Sequence, residues 1–542
     1  MVERAELGLD ASSTMPKKDD KKGGKGGAAT PPTRAQIFEA LENKQFKLAL
    51  ELAPVAYGHW WSNLARENTA HVVVETFLLM FIIWLVFFKK APKKGPSTEL
   101  TKAEVDQLVD EWEPAPLVPK LTEAEQALTD SMMVVEAFDG HNVKLMYESK
   151  PKLNLVTFDF LGMSMRKELK EGARDTLNEY GCGSCGPRGF YGSVMPHIEI
   201  ENNVKEFMGT EGAISYSDSA SAVSSTIPAF AKKGDLLIID SSVHEPIGIG
   251  ADLSRSKIMY YDHNDMESLE AVLKKVATDD KRMGRNSLKQ RRFIVTEALF
   301  RNTGELVDLK KLVELKKQYG YRLILDESFS FGAIGATGRG LTEYAGVPVT
   351  EVDIMVVSMA YSLGSIGGLS LGNVEVADHQ RLSGAGYCFS ASAPPFVSTA
   401  ASMSLACLSQ EGTTLMKRLQ DNVTTVLAGV ETTCKGNLAI VSHSSSPIIH
   451  LALAGGAAAD FPERTMQMNI LEATVEGCKA LDLLITTSKT VKGEKAKGGK
   501  GPAAATLRIA VRASMDKAML TKAIKTIDTC LTHAIKFYKG KQ

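Results

Sequence analysis

Four short stretches hold the residues whose types and spacing can do chemistry. The first, Tyr180-Gly-Cys-Gly-Ser-Cys-Gly-Pro-Arg-Gly-Phe-Tyr-Gly192, has five glycines in thirteen residues. Such a loop lets backbone approach a ligand or a neighbouring chain closely. Its Cys182 and Cys185 make a lone CxxC pair. Zinc needs about four ligands, and a redox dithiol needs its own βαβ setting, so neither metal nor redox use is expected. The loop reads equally as a substrate-lining or a packing element. The second stretch, Leu237 to Gly248, carries His244 a few residues past an apolar run; it either faces a ligand or is structural. The third, Leu323 to Gly332, puts Asp326 at the end of an apolar run. A carboxylate there can pair with a cationic ligand group, a protonated pyridine nitrogen among them, or it can cap a turn or helix. The fourth, Asp353 to Gly368, runs from apolar residues through a small-residue turn containing Tyr361 to a glycine pair.

These stretches follow apolar runs of β type at 236–240, 257–261, 292–296, 321–326 and 353–358, with helical patterns between them at 266–277 and 308–318. That alternation predicts an α/β domain with a largely parallel sheet, whose ligands bind beyond the carboxyl ends of the strands. The 542 residues exceed what one core usually holds. Lys+Arg is 63 and Asp+Glu 64, a net charge of −1, which argues against a nucleic-acid partner. Seven cysteines in this length read as reduced thiols facing the cytosol.

The first 120 residues have a different character. Residues 1–32 are polar, with a Lys/Gly run at 17–27, and are expected to be a disordered lumenal tail. Over 33–69 an amphipathic or interfacial helix is expected, with Ile37, Leu41, Leu48 and Leu52 near one face. Residues 70–88 contain the run Phe77 to Phe88, preceded by Trp60 and Trp61 and followed by Lys89, Lys90, Lys93 and Lys94. This predicts one transmembrane helix with its C-terminal side cytosolic. A linker is expected at 89–120, a large domain at 121–400, and a smaller C-terminal domain at 401–542 with a disordered Lys/Gly insert at 489–505.

Taken in order, the four stretches resemble the α-oxoamine synthase family of fold-type I PLP-dependent enzymes, over residues 153–536. Members join an amino acid to an acyl-CoA with loss of CO₂. The resemblance implies a mostly parallel large domain with a smaller α+β domain. It puts His244 at the ring-stacking position, Asp326 at the pyridine-nitrogen partner and His263-Asn264-Asp265 at the family's turn. Two positions depart: the family's Asp-Glu-x-His histidine is Phe329, and its Schiff-base lysine is Tyr361. A phenol forms no imine, and no lysine occurs between Lys317 and Lys417.

Cys185 to Gly192, Glu327 to Gly332, Gly338-Arg-Gly340 and Ser365 to Gly368 further resemble the lysine-less, membrane-anchored members of that family. This implies a non-catalytic but required subunit that completes a partner's active site at a dimer interface. The reaction implied is condensation of L-serine with palmitoyl-CoA to 3-ketodihydrosphingosine, the entry to sphingolipids. PLP is then bound covalently by a lysine-bearing subunit 2. The implied setting is the endoplasmic reticulum membrane, single-pass, with the bulk of the chain cytosolic. Further implied partners are a small activating transmembrane subunit, an inhibitory Orm-type membrane protein and membrane lipid. Cys185, Gly186, Arg188 and Tyr191 are the expected partner-site loop, Arg188 pairing with phosphate or carboxylate or forming an internal ion pair. Ser390 and Ser392 either reach toward the partner's phosphate or belong to a turn before a helix. Tyr361 is expected to fill the vacated lysine space. An active homodimer using another lysine and a purely scaffolding membrane protein are the alternatives.

Overall fold

A computed structural model describes residues 34–43, 45–67, 69–88, 100–114, 116–118, 120–130, 132–285, 289–434, 436–488 and 504–541. The expected tail at 1–32, the lysines at 89–94 and all but the last two residues of the 489–505 insert lie outside the described residues. The chain divides into two units, Met1–Leu121 and Thr122–Gln542.

In the first unit the interfacial stretch forms two helices, Arg34–Glu42 and Phe46–Glu67, rather than one. The expected span folds as helix Thr69–Phe87, 19 residues long. Among the described residues, no helix is long and apolar enough to cross a membrane. Nine of the ten residues at 77–86 are nevertheless exposed apolar side chains. The linker is not featureless. Thr101 Oγ1 accepts the Glu104 N–H, and Glu104 Oε2 accepts the Thr101 N–H at 2.7 Å, a reciprocal cap that starts helix Lys102–Asp110.

The second unit holds fifteen strands among its described residues. They are β1 (Val135–Phe138), β2 (Asn142–Leu145), β3 (Lys152–Asn154), β4 (Gly212–Tyr216), β5 (Leu236–Asp240), β6 (Lys257–Tyr261), β7 (Arg292–Glu297) and β8 (Arg322–Asp326). Then come β9 (Ile354–Ser358), β10 (Gly368–Gly372), β11 (Leu438–Ile440), β12 (Ile448–Leu453), β13 (Leu483–Leu484), β14 (Thr486–Thr487) and β15 (Thr506–Ala510). The central sheet has order β4-β10-β9-β8-β7-β5-β6. Only β10 runs against its neighbours. Every residue of β5, β7 and β9 is buried, because helices cover both faces of a parallel sheet and leave no solvent side. That is why these runs read as continuously apolar instead of alternating.

The C-terminal part carries the expected α+β layer, an antiparallel sheet β11-β12-β15-β14 with helices Arg464–Ala480 and Lys517–Lys539. Helix Pro395–Thr433, 39 residues long, runs straight through the expected boundary at 400/401. One apolar core extends from Leu155 to Ile535, so the two layers share their interior.

Candidate functional site

The carboxyl ends of β5, β7, β8 and β9 carry Asp240, Glu297, Asp326 and Ser358. This is the edge where open α/β sheets bind ligands. His244 follows β5 by four residues and caps helix Glu245–Ser254. Its backbone N–H donates to Glu297 Oε1 at 2.8 Å. Its ring Nδ1 lies 3.2 Å from Glu297 Oε2, and Nε2 lies 3.4 Å from Asp326 Oδ2. These ring approaches are charge contacts, not aligned hydrogen bonds. Asp326 Oδ1 accepts the Ser328 N–H at 2.9 Å. Burial pulls the His244 imidazolium down, but Glu297 and then Asp326 outweigh it and raise its pKa to about 9. Burial raises the Asp326 carboxyl, with His244 opposing. One imidazolium therefore sits between two buried carboxyl groups, and burial pushes Asp326 toward its neutral form.

Above this triad the space is full. Phe329 and Tyr361 stack with centroids 4.4 Å apart and planes at 11°. Phe158 meets both edge-on, at 5.4 and 5.5 Å. His244 meets Phe329 edge-on at 5.8 Å. Phe329 is 1% exposed. Burial raises the Tyr361 phenol, so it stays neutral and serves as neither nucleophile nor base near neutral pH.

The fold implies PLP, and the residues fit one part of it and not the rest. Asp326 Oδ2 accepts no hydrogen bond among the described residues, which suits a pyridinium N–H. Against that, no amine stands where Tyr361 is, and the Phe329–Tyr361 stack occupies the space beside Asp326. At the start of helix Ser219–Phe230, the Asp218 carboxylate accepts the Ser221 N–H at 2.7 Å. An acidic cap there takes the place a phosphate would use and repels one. The residues of this chain do not fit covalently held PLP.

The turn His263-Asn264-Asp265 is a clamp on the same edge. His263 Nδ1 is 2.9 Å from Asp240 Oδ1 and Nε2 is 2.8 Å from Glu305 Oε2. Burial lowers the imidazolium, but these two carboxylates carry it up to about 10.

The glycine loop forms a second, differently built site. Arg188 is buried at its root. Its Nη1 donates to Glu201 Oε1 at 2.8 Å and to Ser215 Oγ, and its Nε donates to Ser193 Oγ at 2.9 Å. Glu201 Oε1 also accepts the Ser215 N–H at 2.8 Å. Of the two readings of Arg188, the geometry has the internal ion pair. The tip is the opposite: Cys185 is exposed, Phe190 is 66% exposed and Tyr191 fully so. Cys185 and Tyr191 adopt φ of +58° and +65°, a left-handed conformation that costs a non-glycine residue about 1 kcal/mol or more. A Cβ on Gly192 would lie within 2.5 Å of the Gly186 and Pro187 carbonyl oxygens, so only glycine closes the loop.

Ser392 ties this loop to the segment before helix Pro395–Thr433. Its N–H donates to Gly186 O at 3.0 Å and its hydroxyl to Gly192 O at 2.7 Å. The Ser392 hydroxyl, expected to face a partner's phosphate, thus closes the chain's own loop. Ser390 lines a water-sized recess of about 10 Å³ with Arg188, His197 and Ser398. Phe389 beside it is 87% exposed.

Four residues of these two sites escaped the sequence reading. Glu297 ends an apolar run as Asp326 does, so the same rule finds it. Asp218 is a helix cap three residues from its partner Ser221, a local pattern, whereas Phe158 and Glu201 meet their partners only through packing and leave no local signal.

Residues 150–527 match the family model for aminotransferase class I and II. Serine palmitoyltransferase 1 of Dictyostelium discoideum is 34% identical over 475 residues, 87% of this chain and 96% of that protein. Long chain base biosynthesis protein 1 of Arabidopsis thaliana is 39% identical over 422 residues, 77% of this chain and 83% of that protein. Among solved structures, a Sphingomonas wittichii serine palmitoyltransferase superposes with TM-score 0.65 at 24% identity, covering 76% of this chain and 96% of that one. A structure described as SPT with PLP internal aldimine superposes at 0.64 with the same identity and coverage. These superpositions establish the fold, that of PLP-dependent transferases. The chain belongs to the aminotransferase class I and II family and, within it, to the serine palmitoyltransferase 1 and long chain base biosynthesis protein 1 group, subunits of a PLP-dependent acyltransferase.

Proposed function

We propose that this chain is the non-catalytic but required subunit of a heterodimeric serine palmitoyltransferase. It completes the site of a lysine-bearing subunit 2 that holds PLP and condenses L-serine with palmitoyl-CoA to 3-ketodihydrosphingosine. The observation that carries the reading is the Phe329–Tyr361 stack at 4.4 Å, where a lysine and an open cofactor cleft are expected. PLP supplies the electron sink for such a condensation, and here that belongs to the partner. This chain's own residues position a surface. Arg188 and Glu201 hold the loop root, Ser392 closes the loop on the Phe389–Ala393 segment, and Cys185, Phe190, Tyr191 and Phe389 stand exposed.

The same proposal places the chain in the endoplasmic reticulum membrane as a single-pass protein with its second unit in the cytosol. The exposed apolar side chains all round helix Thr69–Phe87 support it. Those N-terminal helices would be the surface for a small activating transmembrane subunit and an inhibitory Orm-type protein.

The test is co-expression with subunit 2 and an assay with serine and palmitoyl-CoA. Turnover is expected from the pair and from neither chain alone. Borohydride treatment of this chain alone with PLP is expected to trap no adduct. Condensation by the isolated chain, or a reduced adduct on one of its lysines, overturns the reading in favour of an active homodimer. Unchanged turnover and assembly after Tyr191→Ala would instead favour pure scaffolding.

A further inference from the structure

The last helix, Lys517–Lys539, is two-faced. Asp516 caps it, accepting the Met519 N–H at 2.8 Å. Leu520, Ile524, Ile527 and Leu531 are buried on the side that packs on helices Pro395–Thr433 and Arg464–Ala480. At about 100° per residue, Lys522, Lys525 and Lys536 fall on the opposite arc, Lys517 stands off it in the first turn, and all four are exposed. Lys539 shares the arc but pairs with Asp460. The ammonium groups of the other four make no ion pair or hydrogen bond among the described residues. The arc's one acid, Asp528, is half-buried.

The charge is local. The whole chain sums to −1, and surfaces kept only for solubility mix both signs. The first turns also frame a shallow recess of about 670 Å³, lined by Lys517, Ala518, Thr521, Lys522 and Lys525. Ammonium groups around a hydroxyl are phosphate-binding chemistry. The arc carries no arginine, so it lacks the bidentate group that most often reads nucleic-acid bases.

We propose that this lysine face docks on the anionic phospholipid headgroups of the membrane that holds the chain. The inference rests on the membrane reading above and adds to it a second, electrostatic contact made by the enzyme-fold unit. Such a contact screens away with salt over a Debye length of about 8 Å at physiological ionic strength.

The test is residue-resolved acetylation of the full chain reconstituted in phosphatidylcholine vesicles, with and without about 30% phosphatidylserine, read by mass spectrometry. Acetylation of Lys517, Lys522, Lys525 and Lys536 is expected to slow about fivefold or more in the anionic vesicles. It should recover in about 0.5 M NaCl. Lys233 and Lys310, exposed elsewhere on the same unit, should not change. K522E/K525E should remove the protection of Lys517 and Lys536. Equal rates in both vesicles, protection that survives that variant, or protection by an RNA oligonucleotide and not by anionic vesicles each overturn the proposal. Retention on neutral vesicles reads the anchor separately. A chain that neutral vesicles do not retain, but whose lysines anionic ones protect, refutes the anchor and supports the face.

Discussion

The strand-end pocket and the glycine loop hold their polar groups in opposite ways. In the pocket, His244, Glu297 and Asp326 are buried beneath the rings of Phe158, Phe329 and Tyr361. In the loop, the charged pair Arg188–Glu201 is at the bottom and the aromatic tip is outside. The first arrangement stabilises the domain. The second fixes a strained surface against a rigid base. The difference teaches that a fold can lose its own chemistry at the strand ends and still present a precise surface nearby, because loop geometry depends on the buried root and not on the pocket.

The largest effect should come from the loop root. Glu201→Ala leaves the Arg188 guanidinium buried without its carboxylate, which costs about 3–5 kcal/mol. Denaturant unfolding of the full chain should show it, together with loss of assembly with subunit 2. If Glu201→Ala unfolds like the parent, the root does not hold the loop.

The pocket should respond almost as strongly to loss of packing. Phe329→Ala removes a ring that is 1% exposed, and its expected cost is about 3–5 kcal/mol. Tyr361→Lys restores an amine but leaves Phe329 and the Asp218 cap in place, so it should yield no borohydride-trapped PLP adduct. An adduct would mean that the stack yields readily, and that the pocket is less closed than its geometry implies.

A middle-sized effect is expected from pH. The His244 pKa is raised from 6.5 to about 9, so its contribution is full below pH 6.5 and is lost as pH rises through 9. Burial raises Glu327 from 4.5 to about 7. A carboxyl that prefers its proton in the folded state contributes below pH 4.5 and loses that contribution as pH climbs through 7. Between pH 6.5 and 9 unfolding midpoints should therefore fall, whereas below 6.5 the buried His450, lowered to about 4, opposes Glu327. His244→Gln should flatten only the portion between 6.5 and 9; an unchanged slope there would detach His244 from the stability of the pocket.

The smallest change in stability should come from the loop tip, where the change in function should be clear. Tyr191→Ala alters an exposed side chain and should move unfolding by no more than about 0.5 kcal/mol. Turnover of the assembled enzyme should drop about tenfold or more, roughly 1.4 kcal/mol of barrier. Cys185→Gly relieves a left-handed backbone and should stabilise by about 1 kcal/mol.

The strand at 236–240 was legible to the residue, because a strand buried on both faces must be apolar throughout, and the part-buried edge strand at 257–261 was legible from its Ile258–Tyr261 run. The antiparallel β10 was not, since Gly368–Gly372 has only two large apolar residues and gains its place from pairing with β4 and β9. The helix at 102–110 was hidden inside a Pro- and charge-rich stretch, although Thr101 and Glu104 had the spacing of a reciprocal cap. Asp326 and His244 could be picked out by their distance from strand ends, whereas the use to which Arg188 is put could not.

Residue identity alone settled that Tyr361 cannot form an imine, because bonding capacity belongs to the functional group and needs no coordinates. It also settled the α/β layering, through the order of apolar runs. Only the tertiary structure decided that Phe158 and Phe329 close over Tyr361, and that Arg188 turns inward to Glu201. Those outcomes depend on which distant segments meet in a shared core, and contact across 13 residues or 200 is set by packing of the whole chain, not by local pattern.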